Sequence, residues 1–407
     1  MKKLKNIIRL VLRAKFIFKT PKKNDLIIFD KLSVRDLSTC LSEFNFFVLQ
    51  TRIESLDEVY FSYSILKKIF KNFFKGNLFT VYLISLVELT KPKIVITTID
   101  NSLKFSAVAK VFEKKINFIA VQNASRDNLL ALKNLYDKKK IKHNILSKYY
   151  IPNFFCFGDH ERDLYKQLNI KVKAFYPVGS LKLANFFHFT KKENNSTEKY
   201  NSDICLVPSI TASPTEKYVK EDKSSLALSQ DYEREKGFAK VVKYTIKFCI
   251  KNNMKLIIPS KRDKKIVPAA YSTEFNFFKR NLEKEEFDYL KKNSLEKNSE
   301  DFSSFRAVLN SKVTVGVCST LLKDKLCTGG KILSCNLAPS KVWDFPINGI
   351  CTLNHCTFEE FEKRLLEIYT ISKEKFFSKI DKKPDYVMKF DQNYSTIDLI
   401  REKLSQL

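Results

Sequence analysis

A mostly parallel α/β fold in two halves is what this sequence predicts, and three observations predict it. Strand-like runs alternate with helical segments twice, from Asp25 to Val178 and from Asp203 to Cys335. A polar stretch without periodicity, Lys191 to Ser202 (KKENNSTEKYNS), separates the two series as a domain boundary would. Leu309 to Asn336 reads as one complete strand–turn–helix–strand unit, the building block of parallel sheets. The 407 residues suffice for two domains, and 44% hydrophobic residues can furnish a core for each.

In the first half, DLIIFD (Asp25 to Asp30) and FNFFVL (Phe44 to Leu49) are apolar runs too short for helices, hence buried strands. Val59 to Phe74 mixes aromatic and basic residues at helical spacing. KIVITT (Lys93 to Thr98) is a strand that ends in Asp100-Asn101-Ser102, with a helix from Leu103 to Glu113. NFIAV (Asn117 to Val121) ends in Gln122-Asn123, with Arg126 close behind. NFFCF (Asn153 to Phe157) ends in Gly158 before a helix from Asp159 to Gln167. Lys171 to Val178 ends in Gly179-Ser180, with Lys182 two residues on.

The second half opens with the strand DICLV (Asp203 to Val207), then a polar loop and a long helix from Tyr232 to Asn252. KLII (Lys255 to Ile258) runs into Pro259-Ser260-Lys261-Arg262. Glu274 to Lys292 reads as one aromatic-rich helix. In the Leu309–Asn336 unit, Lys312 to Val317 is a strand, and Ser319 or Thr320 can cap a helix from Leu321 to Leu326. Gly329-Gly330 stops that helix where positive φ is cheap, and Lys331 to Cys335 is the next strand. Helices from Thr357 to Ile371 and Thr396 to Leu404 close the chain.

Lys+Arg is 73 against 45 Asp+Glu, a net charge of +28 that favours phosphorylated substrates, anionic membranes or other polyanions. Nucleic acid is disfavoured, because the lysines are dispersed and no zinc-finger or RNP-like pattern occurs. Nine cysteines without a CxxC pair or a secretion signal point to a reducing cytoplasm. The first 20 residues place Ile7, Ile8, Val11, Leu12 and Phe16 at helical spacing among lysines and arginines. That pattern suits a basic amphipathic helix on the inner face of the cytoplasmic membrane, or one packed on the protein itself.

Chemistry is expected where strands end, since open α/β sheets hold ligands at their carboxyl ends. Ser319 and Thr320 offer hydroxyls and a helix start that suit phosphate, or an ordinary capped turn. Ser260, Lys261 and Arg262 offer a guanidinium fork and a point charge, or a solvated basic turn. Asp324, about one and a half helical turns beyond Ser319, is placed for ribose hydroxyls or for an exposed helix face. Asp100 ends an uncharged strand, as a general base would, or caps the next helix. Asn101, Gln122, Asn123, Arg126, Gly179 and Ser180 are the substrate-side candidates; each could equally satisfy loop backbone. No His/Cys/Asp spacing suits a metal, so neither metal nor cofactor is expected.

Six stretches together resemble the bacterial surface carbohydrate (surface polysaccharide) biosynthesis proteins. They are KIVITTIDNSLKF (Lys93 to Phe105), INFIAVQNASR (Ile116 to Arg126), FFCFGDHERDLY (Phe154 to Tyr165), YPVGSLK (Tyr176 to Lys182), KLIIPSKRD (Lys255 to Asp263) and VGVCSTLLKDKLCTGGKIL (Val315 to Leu333). More distantly the chain is similar to the glycerophosphotransferases of teichoic acid synthesis and to sugar-nucleotide 2-epimerases. The resemblance implies a glycosyltransferase-B-like fold, with two Rossmann-like domains facing a cleft. Residues 21–190 would form the acceptor domain, 203–375 the nucleotide-sugar domain, and 376–407 a helical segment crossing back. It further implies a metal-independent glycosyltransferase that takes a nucleotide-sugar donor and a glycan or lipid-linked acceptor. A sugar-nucleotide epimerase, a glycerophosphotransferase and a non-catalytic scaffold are the alternatives. Ala124 stands where such proteins carry Gly, Asp324 where Glu is usual, and Pro259-Ser260 where many carry His-Pro.

Overall fold

The computed structural model describes residues 14–52, 56–138, 145–191, 198–210, 226–298 and 301–406. Two six-stranded sheets organise the chain, and every strand pair in them is parallel. In the first half the strands are β1 (Lys15–Ile17), β2 (Leu26–Phe29), β3 (Phe46–Leu49), β4 (Glu58–Tyr60), β5 (Ile94–Thr97), β6 (Asn117–Val121), β7 (Tyr150–Cys156) and β8 (Lys171–Pro177). The helices between them are α1 (Ser33–Leu37), α2 (Tyr63–Asn72), α3 (Leu78–Thr90), α4 (Leu103–Phe112), α5 (Asp127–Lys138), α6 (Asp159–Gln167) and α7 (Leu181–Thr190). The sheet order is β3-β2-β5-β6-β7-β8, with β1 and β4 forming a separate parallel pair.

The second half has β9 (Ser202–Leu206), β10 (Leu256–Pro259), β11 (Ser294–Leu295), β12 (Ser311–Gly316), β13 (Lys331–Asn336) and β14 (Thr352–Asn354). Its helices are α8 (Leu226–Lys251), α9 (Pro268–Asn281), α10 (Lys284–Asn293), α11 (Ser303–Asn310), α12 (Thr320–Cys327), α13 (Phe358–Thr370), α14 (Lys373–Ser378) and α15 (Thr396–Gln406). The order is β11-β10-β9-β12-β13-β14.

Strands sandwiched between helices bury both faces, which is why LIIF in β2 and LIIP in β10 are apolar throughout and fully buried. Separate apolar clusters cover the two faces of each sheet. Both orders reverse direction once, between β2 and β5 and between β9 and β12. Helices on either side of such a reversal diverge and leave a crevice at the carboxyl ends of the strands. These are the two Rossmann-like domains expected.

The end of the chain returns to the first domain. Ile397, Ile400 and Leu404 of α15 pack with Leu181 and Ala184 of α7, and Arg401 donates to the Thr39 carbonyl at 2.8 Å. The approach is tight at Gly179, whose φ is +88° and whose missing Cβ would press on the Lys389 carbonyl oxygen.

Two local expectations change. Within the first 20 residues, Lys15–Ile17 is a strand paired with Glu58–Tyr60, while 1–13 lie outside the described residues. The single helix read from Glu274 to Lys292 is two, because Leu282 takes extended backbone and Glu283 with Glu286 forms a capping box that starts α10. Helix α3, not among the elements expected from the sequence, is strongly apolar and carries no amphipathic signature, since most of it beyond Leu78 is buried or half-buried. Among the described residues no helix is long and apolar enough to cross a membrane.

Gly179→Ala is expected to destabilise the protein by about 1–3 kcal/mol, the usual cost of a strained backbone position. Hydrogen exchange should rise in α15 before it rises in either sheet. Unchanged protection of 396–406 in that variant would contradict the seating described.

Candidate functional site

The sequence candidates of the first domain converge, but on each other. Asp100 is fully buried at the end of β5, and its carboxylate accepts from Arg126 on both oxygens, at 2.7 Å from Nε and from Nη2. Tyr165 donates to the same carboxylate at 3.2 Å, and Arg126 also donates to Asn123 Oδ1 at 2.8 Å. Burial opposes the Arg126 charge, but Asp100 beside it holds the guanidinium above its ordinary range. A carboxylate so engaged is not presented as a free base. The expected role of Asp100 is therefore corrected: it closes a buried ion pair that fixes the Asn123–Arg126 loop. The sequence could not show this, since Arg126 lies 26 residues away.

Gln122 is likewise committed. Its amide donates to the Ala124 carbonyl at 3.1 Å and accepts from Phe157 N at 2.9 Å, tying the ends of β6 and β7 together. Asn101 is exposed beside them. Ser180 caps α7 through Leu183 N at 3.2 Å, and Gly179 supports the returning segment.

In the second domain Ser319 caps α12 through Leu321 N at 3.3 Å. Thr320 reaches across the crevice, where its Oγ1 accepts from Ser125 N at 3.0 Å. Glu274 accepts from the backbone N–H groups of Lys261 and Arg262 at 2.9 and 3.1 Å, so a carboxylate already occupies the place where a phosphate was expected in that turn. Lys261 turns inward and donates to the Ile210 carbonyl at 2.6 Å; burial, then Arg234 and Arg262, push its ammonium down to about 8. Ser260 donates its N–H to Leu295, aligning the ends of β10 and β11. Asp324 is buried rather than exposed. Burial pushes its carboxyl up to about 7 against the opposing influence of Ser180 and Lys182, and Oδ1 has no hydrogen-bond partner.

A buried charge cluster joins the two domains. Lys323 of α12 meets Glu161 of α6 at 3.3 Å, both fully buried. Burial would push the Lys323 ammonium down, but Asp127 and Glu161 hold it above the usual lysine range. Burial likewise works against the Asp127 carboxylate, yet Lys323 and His160 bring it down to about 2. His160 Nε2 stands 3.8 Å from Asp127, an ion-pair distance and not a hydrogen bond.

The crevice itself is lined by cations that sequence reasoning used only in part. A cavity of about 470 Å³ lies between α1 and α7 of the first domain and residues 297–298 and 302–305 of the second. Arg35 and Lys182 face it from one side and Lys297 from the other. Burial pushes the Lys297 ammonium down, and Lys182, Arg262 and Arg35 push it further in the same direction. Asp36 is the carboxylate among the lining residues. Arg35 and Lys297 were missed because α1 is a five-residue helix and β11 a two-residue strand, both below what periodicity reveals. A larger cavity of about 640 Å³ runs along the other face of α7 towards the amino ends of β12 and β13, away from the strand ends that carry the loops. Among the described residues no cluster of three or more His, Cys, Asp or Glu is placed to hold a metal.

A two-domain parallel α/β protein with a basic interdomain crevice is the class that this geometry defines. A family model described as "putative O-antigen biosynthesis protein" matches residues 119–404, more than two thirds of the chain, and the chain belongs to that family. No curated protein matches the sequence. Among solved structures it is similar to a UDP-GlcNAc 2-epimerase from Methanocaldococcus jannaschii in complex with UDP-GlcNAc and UDP. That match has 13% identity and a TM-score of 0.48, covering 94% of this chain and 99% of the other. The Neisseria meningitidis UDP-GlcNAc 2-epimerase bound to UDP-GlcNAc is similar at 11% identity and 0.45, over 94% and 99%. Phytolacca americana apo UGT2 is similar at 10% and 0.45, over 94% and 98%. At such identities and TM-scores these likenesses carry no chemistry over to this chain.

Removing Arg126 alone, as in Arg126→Leu, strands a buried carboxylate and should cost about 3–5 kcal/mol. Asp100→Leu combined with Arg126→Leu should cost clearly less than the sum of the single changes, read from denaturant midpoints. Additive losses would show that the two side chains are not coupled. For Asp324 the folded carboxyl is raised above its usual value. Its contribution to stability is present at low pH and lost as pH rises from about 4 to about 7. Asp324→Asn should therefore raise Tm by more at pH 8 than at pH 5; the reverse order would contradict the buried position.

Proposed function

We propose that the protein is a glycosyltransferase that uses a nucleotide-activated sugar to extend a bacterial surface glycan, with the donor phosphates in the interdomain crevice. One observation carries this: Arg35 and Lys182 from one domain and Lys297 from the other face a single cavity, with Arg262 beside it, at the carboxyl ends of the strands. Cations that repel one another when the cavity is empty are stabilised when a diphosphate enters. Arg supplies paired donors for phosphate oxygens, while Lys supplies point charges. Membership of the O-antigen family supports a surface glycan as the product.

The chemistry follows from the same charges. The bond from the sugar C1 to the leaving phosphate oxygen breaks, and its electron pair goes to the nucleotide diphosphate. The acceptor oxygen forms the new bond to C1 and loses its proton. Preorganised cations stabilise the charge that develops on the leaving group. Asp36, the carboxylate of the cavity wall, stands 3.7 Å from Arg35 Nε, an ion-pair distance and not the two-oxygen hydrogen bonding of Asp100, and replaces Asp100 as the group that takes the acceptor proton. Ser319 and Asp324 remain proposals for the nucleotide side, and an acidic or lipid-linked acceptor is in keeping with the net charge of +28.

Calorimetry against UDP, CDP and CMP is expected to pick out one nucleotide, and Arg35→Ala should weaken its binding about tenfold, as loss of a charge-assisted hydrogen bond does. Asp36→Asn should keep nucleotide binding and lose sugar transfer. Release of an epimerised sugar nucleotide without any acceptor would replace the transferase with an epimerase. Binding of none of the three would favour a scaffold.

A further inference from the structure

The outer face of the first domain carries a feature that the crevice does not explain. Helix α2 buries Ile65 and Asn72 and turns Tyr63, Lys67, Phe70 and Lys71 outward. The turn that follows adds Phe73, Phe74 and Lys75. Phe74 is 98% exposed, Tyr63 80% and Phe70 77%. Leu78 and, from the neighbouring β1–β4 pair, Phe18 extend the same apolar exposure to 67% and 74%. Single exposed hydrophobic side chains are ordinary, but so many large ones within one short stretch mark an interaction surface.

Charge narrows the occupant. From Val59 to Val87 the chain has no acidic residue, while Lys67, Lys71 and Lys75 stand on the exposed side among the aromatic rings. Lys68 is turned inward instead, where it pairs with Glu88 at 2.6 Å. Interleaved rings and ammonium groups suit a surface that is negatively charged at its rim and apolar just beneath. A bilayer containing anionic lipid has that layering: aromatic rings settle at the headgroup level, while basic residues pair with the headgroups. An ordinary protein partner would need an acidic frame around an apolar pocket.

We infer that the α2 face, centred on Phe70, Phe73 and Phe74 with Lys67, Lys71 and Lys75, docks the protein on an anionic lipid surface. Phe74 and Phe73, whose rings meet edge to face at 5.6 Å, form the wedge that enters the interface. Each basic residue held near an anionic surface strengthens binding about fivefold, and salt weakens that share. The face lies outside the crevice, so the inference stands or falls separately from the nucleotide.

The test is flotation of the full chain with vesicles of phosphatidylcholine alone and of phosphatidylcholine with phosphatidylglycerol. Binding is expected only to the anionic vesicles and should weaken as salt is raised. Phe73→Ser with Phe74→Ser should lower partitioning at least tenfold at unchanged Tm, since both rings are exposed. Lys67→Glu with Lys71→Glu should do the same. The same charge change elsewhere, Lys279→Glu with Lys284→Glu on exposed positions of α9 and α10, should leave most of the binding. Full binding by both α2 variants would overturn the inference. So would equal loss in the control variant, or a self-association that Phe73→Ser with Phe74→Ser abolishes in a protein that ignores vesicles.

Discussion

The two domains hold their relation through a salt bridge from which water is excluded. Lys323 lies in the first turn of α12 at the carboxyl end of one sheet, Glu161 in the first turn of α6 at the carboxyl end of the other, and neither side chain reaches solvent. A lone buried charge is costly, whereas a buried pair is tolerated when its geometry is kept. The charges therefore penalise separation of the domains more than they add stability to the closed form. Asp127 and His160 extend the cluster, and Thr320 with Ser125 adds a hydrogen bond across the same seam. The returning helix α15 makes the second connection, by spending the last turns of the chain on the first domain's core.

With that seam closed, the remaining strand ends have little choice of neighbour. Helices α1 and α7, which follow β2 and β8 of the first domain, bring Arg35 and Lys182 to face Lys297 of the second, with Arg262 close by. None of these cations has a buried carboxylate of its own in the way that Arg126 has Asp100. The molecule thus keeps two kinds of charge at its strand ends. One kind is paired, buried and structural; the other faces a cavity with weaker partners, Asp36 at 3.7 Å from Arg35 and the Lys261 carbonyl at 3.3 Å from Lys297. Binding is assigned to the second kind because an entering anion can add contacts there that the long Arg35–Asp36 pair and a single backbone acceptor leave open.

Much of the fold was legible because parallel strands buried on both faces leave unmistakable apolar runs, as at Leu26–Phe29 and Ile94–Thr97. The turn at Gly329, with φ of +79°, was readable for the same local reason. The site was legible only as a location. Asp100, Gln122 and Thr320 do lie at strand ends, but their partners, Arg126, Phe157 and Ser125, are set by tertiary packing that residue spacing does not encode. Arg35 lies in an element of five residues and Lys297 follows one of two, so nothing periodic announced them. Asp324 could be read as a ribose contact or as an exposed helix acid; residue spacing did not show that it is buried, with Ser180 and Lys182 at the start of α7 beside it.

The central claim is that groups from both domains hold one phosphate-bearing ligand. A double-mutant cycle across the crevice tests it most directly, with nucleotide binding measured for Lys182→Ala, Lys297→Ala and the pair. The predicted result is that each change weakens binding and that the two are coupled by more than about 0.5 kcal/mol, as residues sharing a partner are. Independent, additive effects, or no effect of the first-domain change, would contradict the account and leave the nucleotide to the second domain alone.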